Sequence, residues 1–267
     1  MLDTKVMEQM KEHVAFVNTK AVQRGVTRVV TCLQGSQNYQ LADEYSDVDT
    51  KSMVVPSFRT LVFSSDPVSS TEVLPNDAHA DMKDLRLMFG CFRKQNVNFL
   101  EVLFTPYFDC DPAFAETWKL LQENKELLAH YNEYLAVSCM LGMTYEKYHA
   151  FEHKYPAALA KLEKFGYDPK QLHHMLRMQE FLTRYTNGVP FEECLVSENS
   201  EYLLAVKRGL YPYDTAVKVK EVCMKEVEAY AVAWKSTRKS TINETANRLL
   251  NDVQYDVFEK SVRKELQ

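Results

Sequence analysis

Glycine is scarce: the chain has seven in 267 residues, where ordinary usage of ~7% would place about nineteen. Gly25, Gly35, Gly90, Gly142, Gly166, Gly188 and Gly209 spell neither G-x-G-x-x-G nor G-x-x-x-x-G-K-[ST]. Rossmann and P-loop phosphate cradles are therefore excluded as spelled. Collagen-like and Pro/Gly-rich disordered classes fall away with them. No apolar run approaches membrane-spanning length, and MLDTKVMEQMKEH contains no signal-peptide h-region. The six cysteines (Cys32, Cys91, Cys110, Cys139, Cys194 and Cys223) form no C-x-x-C and fit neither a zinc site nor a disulfide scaffold. Reduced, packed thiols in a cytoplasmic protein without membrane partners are expected. The net charge of −5 gives no bulk attraction to nucleic acid.

What is present is hydrophobic residue, 46%, and aromatic, 12%, enough for a sizeable core. Charge is uneven. Residues 31–111 carry twelve Asp/Glu against six Lys/Arg, and residues 207–239 carry eight Lys/Arg against four Asp/Glu. Two complementary faces of one cleft and two solvated helix surfaces both satisfy that distribution.

Val6, Met10, Val14, Val17 and Ala21 recur at helical spacing and predict a helix over 4–23. Val26 to Leu33 reads as a buried strand running into Gly35-Ser36, and Asp47 to Val55 as a second strand stopped by Pro56. Residues 58–63 and 68–74 read as short strands, and the pattern turns helical around Asp81. From Asp111-Pro112 onward everything reads as helix; Asp168-Pro169 repeats that N-cap device, and Gly188 closes the helix after it. Ile242, Ala246, Leu249, Val253 and Val257 mark a final helix. The expected organisation is α+β: a mixed α/β part over 1–108 followed by a helical part over 109–267. Gly25, Gly166, Gly188 and Gly209 fall at expected helix ends, and Gly35 alone ends a strand ahead of acidic residues.

The most informative stretch is GSQNYQLADEYSDVD, residues 35–49. Residues two apart on a strand share a face, so Asp47 and Asp49 point one way and Val48 the other. Paired carboxylates repel unless a cation neutralises them, and Mg²⁺ favours one or two carboxylates plus phosphate oxygens. Gly35 permits close backbone approach, and Ser36 adds a hydroxyl donor. Taken separately, Asp-x-Asp also fits a loop or cap pair and Gly-Ser an ordinary turn; the combination with two strands is the stronger signal.

In this pattern the chain resembles the DNA polymerase β superfamily of nucleotidyltransferases, and most closely its RNA-repair-pathway family. Gly35, Ser36, Tyr39, Leu41, Ala42, Ser46, Asp47 and Asp49 keep the family's spelling. Gln40 departs from it, since the family usually has Gly there. Lys51 matches a basic residue two positions after the carboxylate pair, and Asn96, Glu101 and Leu103 match a later segment in which Val97 replaces Pro. The resemblance implies a small mixed-sheet nucleotidyltransferase palm with flanking helices, followed by a helical domain. It also implies a third carboxylate, Asp81, with Asp77 and Asp84 as rivals; an N-cap role fits Asp81 equally.

Lys170, His174 and Arg177 stand at i, i+4 and i+7 and share a helix face. Spacing alone fits a solvated stripe. The resemblance, through a Gly-Tyr-Asp-x-Lys-x-x-x-His-x-x-Arg segment, assigns these residues to a nucleotide triphosphate. The implied activity is transfer of a nucleotide from an NTP to a hydroxyl, with Mg²⁺ or Mn²⁺ on Asp47, Asp49 and Asp81. Gly35, Ser36, Tyr39 and Lys51 would lie at the nucleotide, and the family name points to an RNA end as acceptor. Nucleotidyl modification of a protein or small molecule, and a non-catalytic nucleotide- or RNA-binding module, are the alternatives. His149-Ala150-Phe151-Glu152-His153 spells an inverted zincin motif, H-x-x-E-H, which needs both imidazoles one helical turn apart and a third ligand.

Overall fold

A computed structural model describes residues 4–43, 46–64, 66–76 and 78–267. Asp77, a rival for the third carboxylate, lies outside the described residues, as do Glu44 and Tyr45 of the Gly-Ser to Asp-x-Asp stretch. The elements run α1 (Thr4–Arg24), β1 (Val26–Gln34), β2 (Asp49–Pro56), α2 (Phe58–Phe63), β3 (Ser69–Val73), β4 (His79–Asp84), α3 (Leu85–Arg93), α4 (Val97–Leu100) and β5 (Phe108–Cys110). They continue with α5 (Ala115–Glu123), α6 (Lys125–Ala129), α7 (Glu133–Ala150), α8 (Leu159–Phe165), α9 (Pro169–Thr186) and α10 (Phe191–Leu195). The last are α11 (Ser200–Lys207), α12 (Tyr213–Ser236) and α13 (Glu244–Leu266). The fold is α+β, with one five-stranded mixed sheet and many helices.

Two compact units result. The first comprises residues 1–38, 44–131 and 242–267; the second comprises 39–43 and 132–241. This division differs from the expected one at residue 108. The reason lies in α13: its apolar stripe of Ala246, Leu250, Val253 and Val257 is buried, and it packs on α3 and α5 of the sheet unit. Leu250, not the expected Leu249, is the buried leucine of that stripe.

In the sheet unit the strand order is β3-β4-β2-β1-β5. β2 and β4 are parallel and every other pairing is antiparallel. α1 covers one face, burying Val17 and Ala21 against Val54, Ala80 and Met82. Fully buried His13 of α1 meets Thr50 there, Nδ1 to Oγ1 at 2.9 Å. α3 packs on β2 and β4.

Two short elements correct the sequence reading. Residues 58–63 form a helix, not a strand, because the Ser57 hydroxyl caps it by accepting from the Thr60 N–H at 3.2 Å. Residues 79–84 form a strand, and the helix begins only at Leu85. Its N-cap is Asp84, not Asp81: Asp84 accepts from the Arg86 N–H at 2.8 Å.

The helical unit contains α7 to α12. α9 packs against α7, α11 and α12, burying Leu172, Met175, Met178, Phe181 and Leu182. Asp168 caps α9 as its sequence implies, accepting from the Lys170 N–H at 3.0 Å. The Tyr155 hydroxyl donates to its other oxygen at 2.6 Å. No described helix is long and apolar enough to cross a membrane.

Candidate carboxylate site

Strand register gathers the first part of the site. Gln34, the last residue of β1, pairs with Asp49, the first of β2. Gly35 and Ser36 therefore leave the sheet beside Asp49. Gly35 has φ +80°, a left-handed backbone that favours glycine, and nothing lies within 4 Å of where a Cβ would sit. The Gly-Ser turn is open as well as tightly bent.

Asp47 precedes β2 instead of lying within it, yet the alternation survives. Asp47 is exposed, Val48 is buried against Leu33, Val6 and Met10, and Asp49 is half-exposed. No hydrogen bond or ion pair among the described residues engages the Asp47 carboxylate.

The neighbouring strand supplies the rest. Lys51 of β2 pairs with Asp81 of β4, and opposed residues in a ladder share a face. Ala80 and Met82 face α1 and are buried, so His79, Asp81 and Lys83 face the other way with Asp49 and Lys51. Asp49 Oδ1 accepts from the His79 N–H at 3.0 Å, and the His79 ring Nδ1 stands 3.6 Å from the same oxygen. Asp81 Oδ1 accepts from the Thr71 hydroxyl at 2.5 Å, with Lys83 Nζ at 3.5 Å. One oxygen of each carboxylate is thus committed to the protein, which orients the other.

Asp84, the rival third carboxylate within the described residues, is spent elsewhere. It is fully buried, faces Arg86 Nη2 at 2.8 Å and accepts from the Val68 N–H at 3.1 Å.

Lys51 is held inward. Its ammonium donates to the Asn98 carbonyl at 2.5 Å and lies 4.1 Å from the centre of the Phe99 ring. Burial lowers its pKa to about 8, against the opposing pull of Asp81. The segment containing Asn96, Glu101 and Leu103 is therefore the wall that receives Lys51. Asn96 itself caps α4, accepting from the Asn98 N–H at 3.0 Å.

The donor set suits a hard divalent cation in kind. Among the described residues, however, no three His, Cys, Asp or Glu side chains converge to hold a metal by themselves. Asp47, Asp49 and Asp81 are consequently not an all-protein cage. Mg²⁺ is more often bound by one or two carboxylates completed by substrate phosphate and water than by an all-protein cage.

In the helical unit, Lys170, His174 and Arg177 share one face of α9, as their spacing requires. Burial grades along it: Lys170 is exposed, His174 half-buried and Arg177 buried. The Arg177 guanidinium stacks on the Tyr39 ring at 3.5 Å, so two residues singled out separately by sequence are in contact. Burial pushes the His174 pKa well below its ordinary value, and His173, Lys170 and Arg177 push it the same way. The next residue in the motif, Gln40, has φ +59°. It stands where the resembling family has glycine, and it adopts the backbone that glycine favours.

The inverted zincin spelling does not assemble. α7 ends at Ala150, buried Phe151 stacks on Tyr167, and His153 lies beyond the helix. Glu152 accepts from the Tyr213 hydroxyl.

Sequence reasoning missed His79 and Thr71. The signal was the polar–apolar alternation of His79, Ala80, Asp81, Met82 and Lys83, which spells a strand with His79 beside Asp81. Compared with models of known protein families the chain matches none, and no curated protein matches it significantly.

Proposed function

We propose that the protein is a metal-dependent nucleotidyltransferase that moves a nucleotide from an NTP to a hydroxyl acceptor, an RNA end, releasing pyrophosphate. One arrangement supports the reading. An open Gly-Ser turn sits beside Asp49 at the end of paired strands, and Asp81 shares the Asp49 face from the adjacent parallel strand.

Asp47 and Asp49, with Asp81, would hold Mg²⁺ or Mn²⁺, which when bound neutralises triphosphate charge and favours ionisation of the attacking hydroxyl. The Gly35 region presents backbone, and Ser36 a hydroxyl, to phosphate oxygens. Asp81 takes the proton of the attacking hydroxyl as its oxygen bonds to the α-phosphorus. The bond from that phosphorus to the bridging oxygen breaks, and pyrophosphate leaves. Lys51, buried behind these carboxylates, offsets their charge from within the sheet. Lys170, His174 and Arg177 are assigned to the triphosphate on the sequence resemblance alone.

Label transfer tests this. Purified protein is incubated with each α-labelled NTP, Mg²⁺ or Mn²⁺, and pools of RNA, DNA and protein. Label is expected in RNA. Asp47→Ala and Asp49→Ala are each expected to abolish transfer while leaving the circular dichroism and urea midpoint unchanged. Transfer by the double variant would sink the site assignment. A wild type that labels nothing and binds no NTP would sink the enzyme reading; label in protein or a small molecule would move the acceptor.

A further inference from the structure

His79 lies on the carboxylate face, and the proposed chemistry gives it no role. It opens β4 two residues before Asp81, so the two side chains project from the same face. Its ring Nδ1 lies 3.6 Å from Asp49 Oδ1, too far for a hydrogen bond. The imidazole is about half exposed, at 51%, and the Asp49 carboxylate at 35% is open beside it. The backbone N–H of the same histidine donates to Asp49 Oδ1, which fixes the carboxylate relative to the ring. A small rotation of an exposed imidazole brings its nitrogen and the Asp49 carboxylate onto one ion. Of the two ions the site would take, Mg²⁺ is served by oxygen donors alone, whereas an imidazole nitrogen is an acceptable donor to transition metals.

We propose that His79 is a ligand of the divalent cation on this face, and that its nitrogen makes the site select Mn²⁺ over Mg²⁺. The proposal rests on the nucleotidyltransferase reading for the location of the cation, and goes beyond it in naming a nitrogen ligand and the metal it selects. His79 would add a nitrogen donor beside the Asp49 carboxylate of the proposed site. Phosphate oxygens and water would complete the shell.

The test is Mn²⁺ binding by the full chain, with a non-hydrolysable NTP analogue present, read by electron paramagnetic resonance. Pulsed measurements should show ¹⁴N modulation from a coordinated imidazole in the wild type and none in His79→Gln. The same variant should weaken Mn²⁺ binding about tenfold and Mg²⁺ binding less than about twofold, a size typical of perturbing a metal site. If Mn²⁺ binds, is lost in Asp49→Asn and shows no ¹⁴N modulation, the histidine proposal is overturned and the carboxylate reading stands. Modulation that persists in His79→Gln overturns it too, since the nitrogen then comes from another residue or from the nucleotide base. If the wild type binds neither ion, with or without the analogue, both readings fail together.

Discussion

Gln40 holds a left-handed backbone at φ +59°, a conformation that costs a non-glycine residue roughly 1–2 kcal/mol. Part of that is recovered by restricting the unfolded chain, since glycine is the more flexible residue there by roughly 0.5–1 kcal/mol. Gln40→Gly should therefore raise unfolding free energy by about 0.5–1 kcal/mol, and Gln40→Val should lower it, because a β-branched residue tolerates positive φ least. Urea unfolding of both variants checks the sign. Asp81 and Asp84 make a second contrast. Asp84→Asn breaks a buried ion pair with Arg86 and loosens the start of α3, so it should cost about 3–5 kcal/mol. Asp81→Asn keeps an oxygen to accept from Thr71 and should leave stability within about 1 kcal/mol while abolishing transfer. Equal stability losses would mean that Asp81 is structural as well.

α9 carries the pH dependence of the helical unit. His173 is buried within it, and its Nδ1–H donates to the Leu203 carbonyl at 2.9 Å. Burial lowers its folded-state pKa to about 4, below the ordinary 6.5. Between those values the unfolded chain binds a proton that the folded chain refuses. Stability is full above pH 6.5 and falls as pH drops toward 4, by about 3 kcal/mol over the window. His174, lowered by the same cause, adds to that fall. His173→Gln retains a donor for Leu203 and should flatten the urea midpoint against pH; an unchanged slope would acquit His173. α9 was legible in sequence because its cap, stripe and stop are all local. α1 was legible from its uninterrupted helical periodicity, and β1 from its run of β-branched residues. β4 was not, because Met82, Leu85, Met88 and Phe89 carry helical spacing backward across the strand. α2 was not, because six mostly apolar residues fit a strand equally well until Ser57 is seen to cap them. The missed strand hid His79, whereas Gly35, Asp47 and Asp49 sit in one continuous stretch and could be read from spacing.

Across the whole molecule, burial patterns show that a helix has an apolar face but not what covers it. α13 shows this: its stripe was visible, its place in the sheet unit was not. Its side-chain bonds are non-local, with Arg93 donating to Asn251 at 2.8 Å and Thr117 to Asp256 at 2.5 Å. A chain ending at Thr241 loses Leu250, Val253 and Val257, each worth about 1.5–3 kcal/mol of burial. Against a typical total of 5–15 kcal/mol, the sheet unit should then be largely unfolded. Dye binding to exposed apolar surface and loss of NTP binding would register that; a truncated chain with the full-length urea midpoint would show that α13 is dispensable. The split of the sheet unit into pieces separated along the chain also fixes an order of events at the ribosome. When Thr241 has emerged, every residue of the helical unit is available, while the sheet unit still lacks the helix that covers α3 and α5. The nascent chain thus passes through an interval in which its middle can fold and its beginning cannot be completed, inverting the usual N-terminal-first sequence of domain folding.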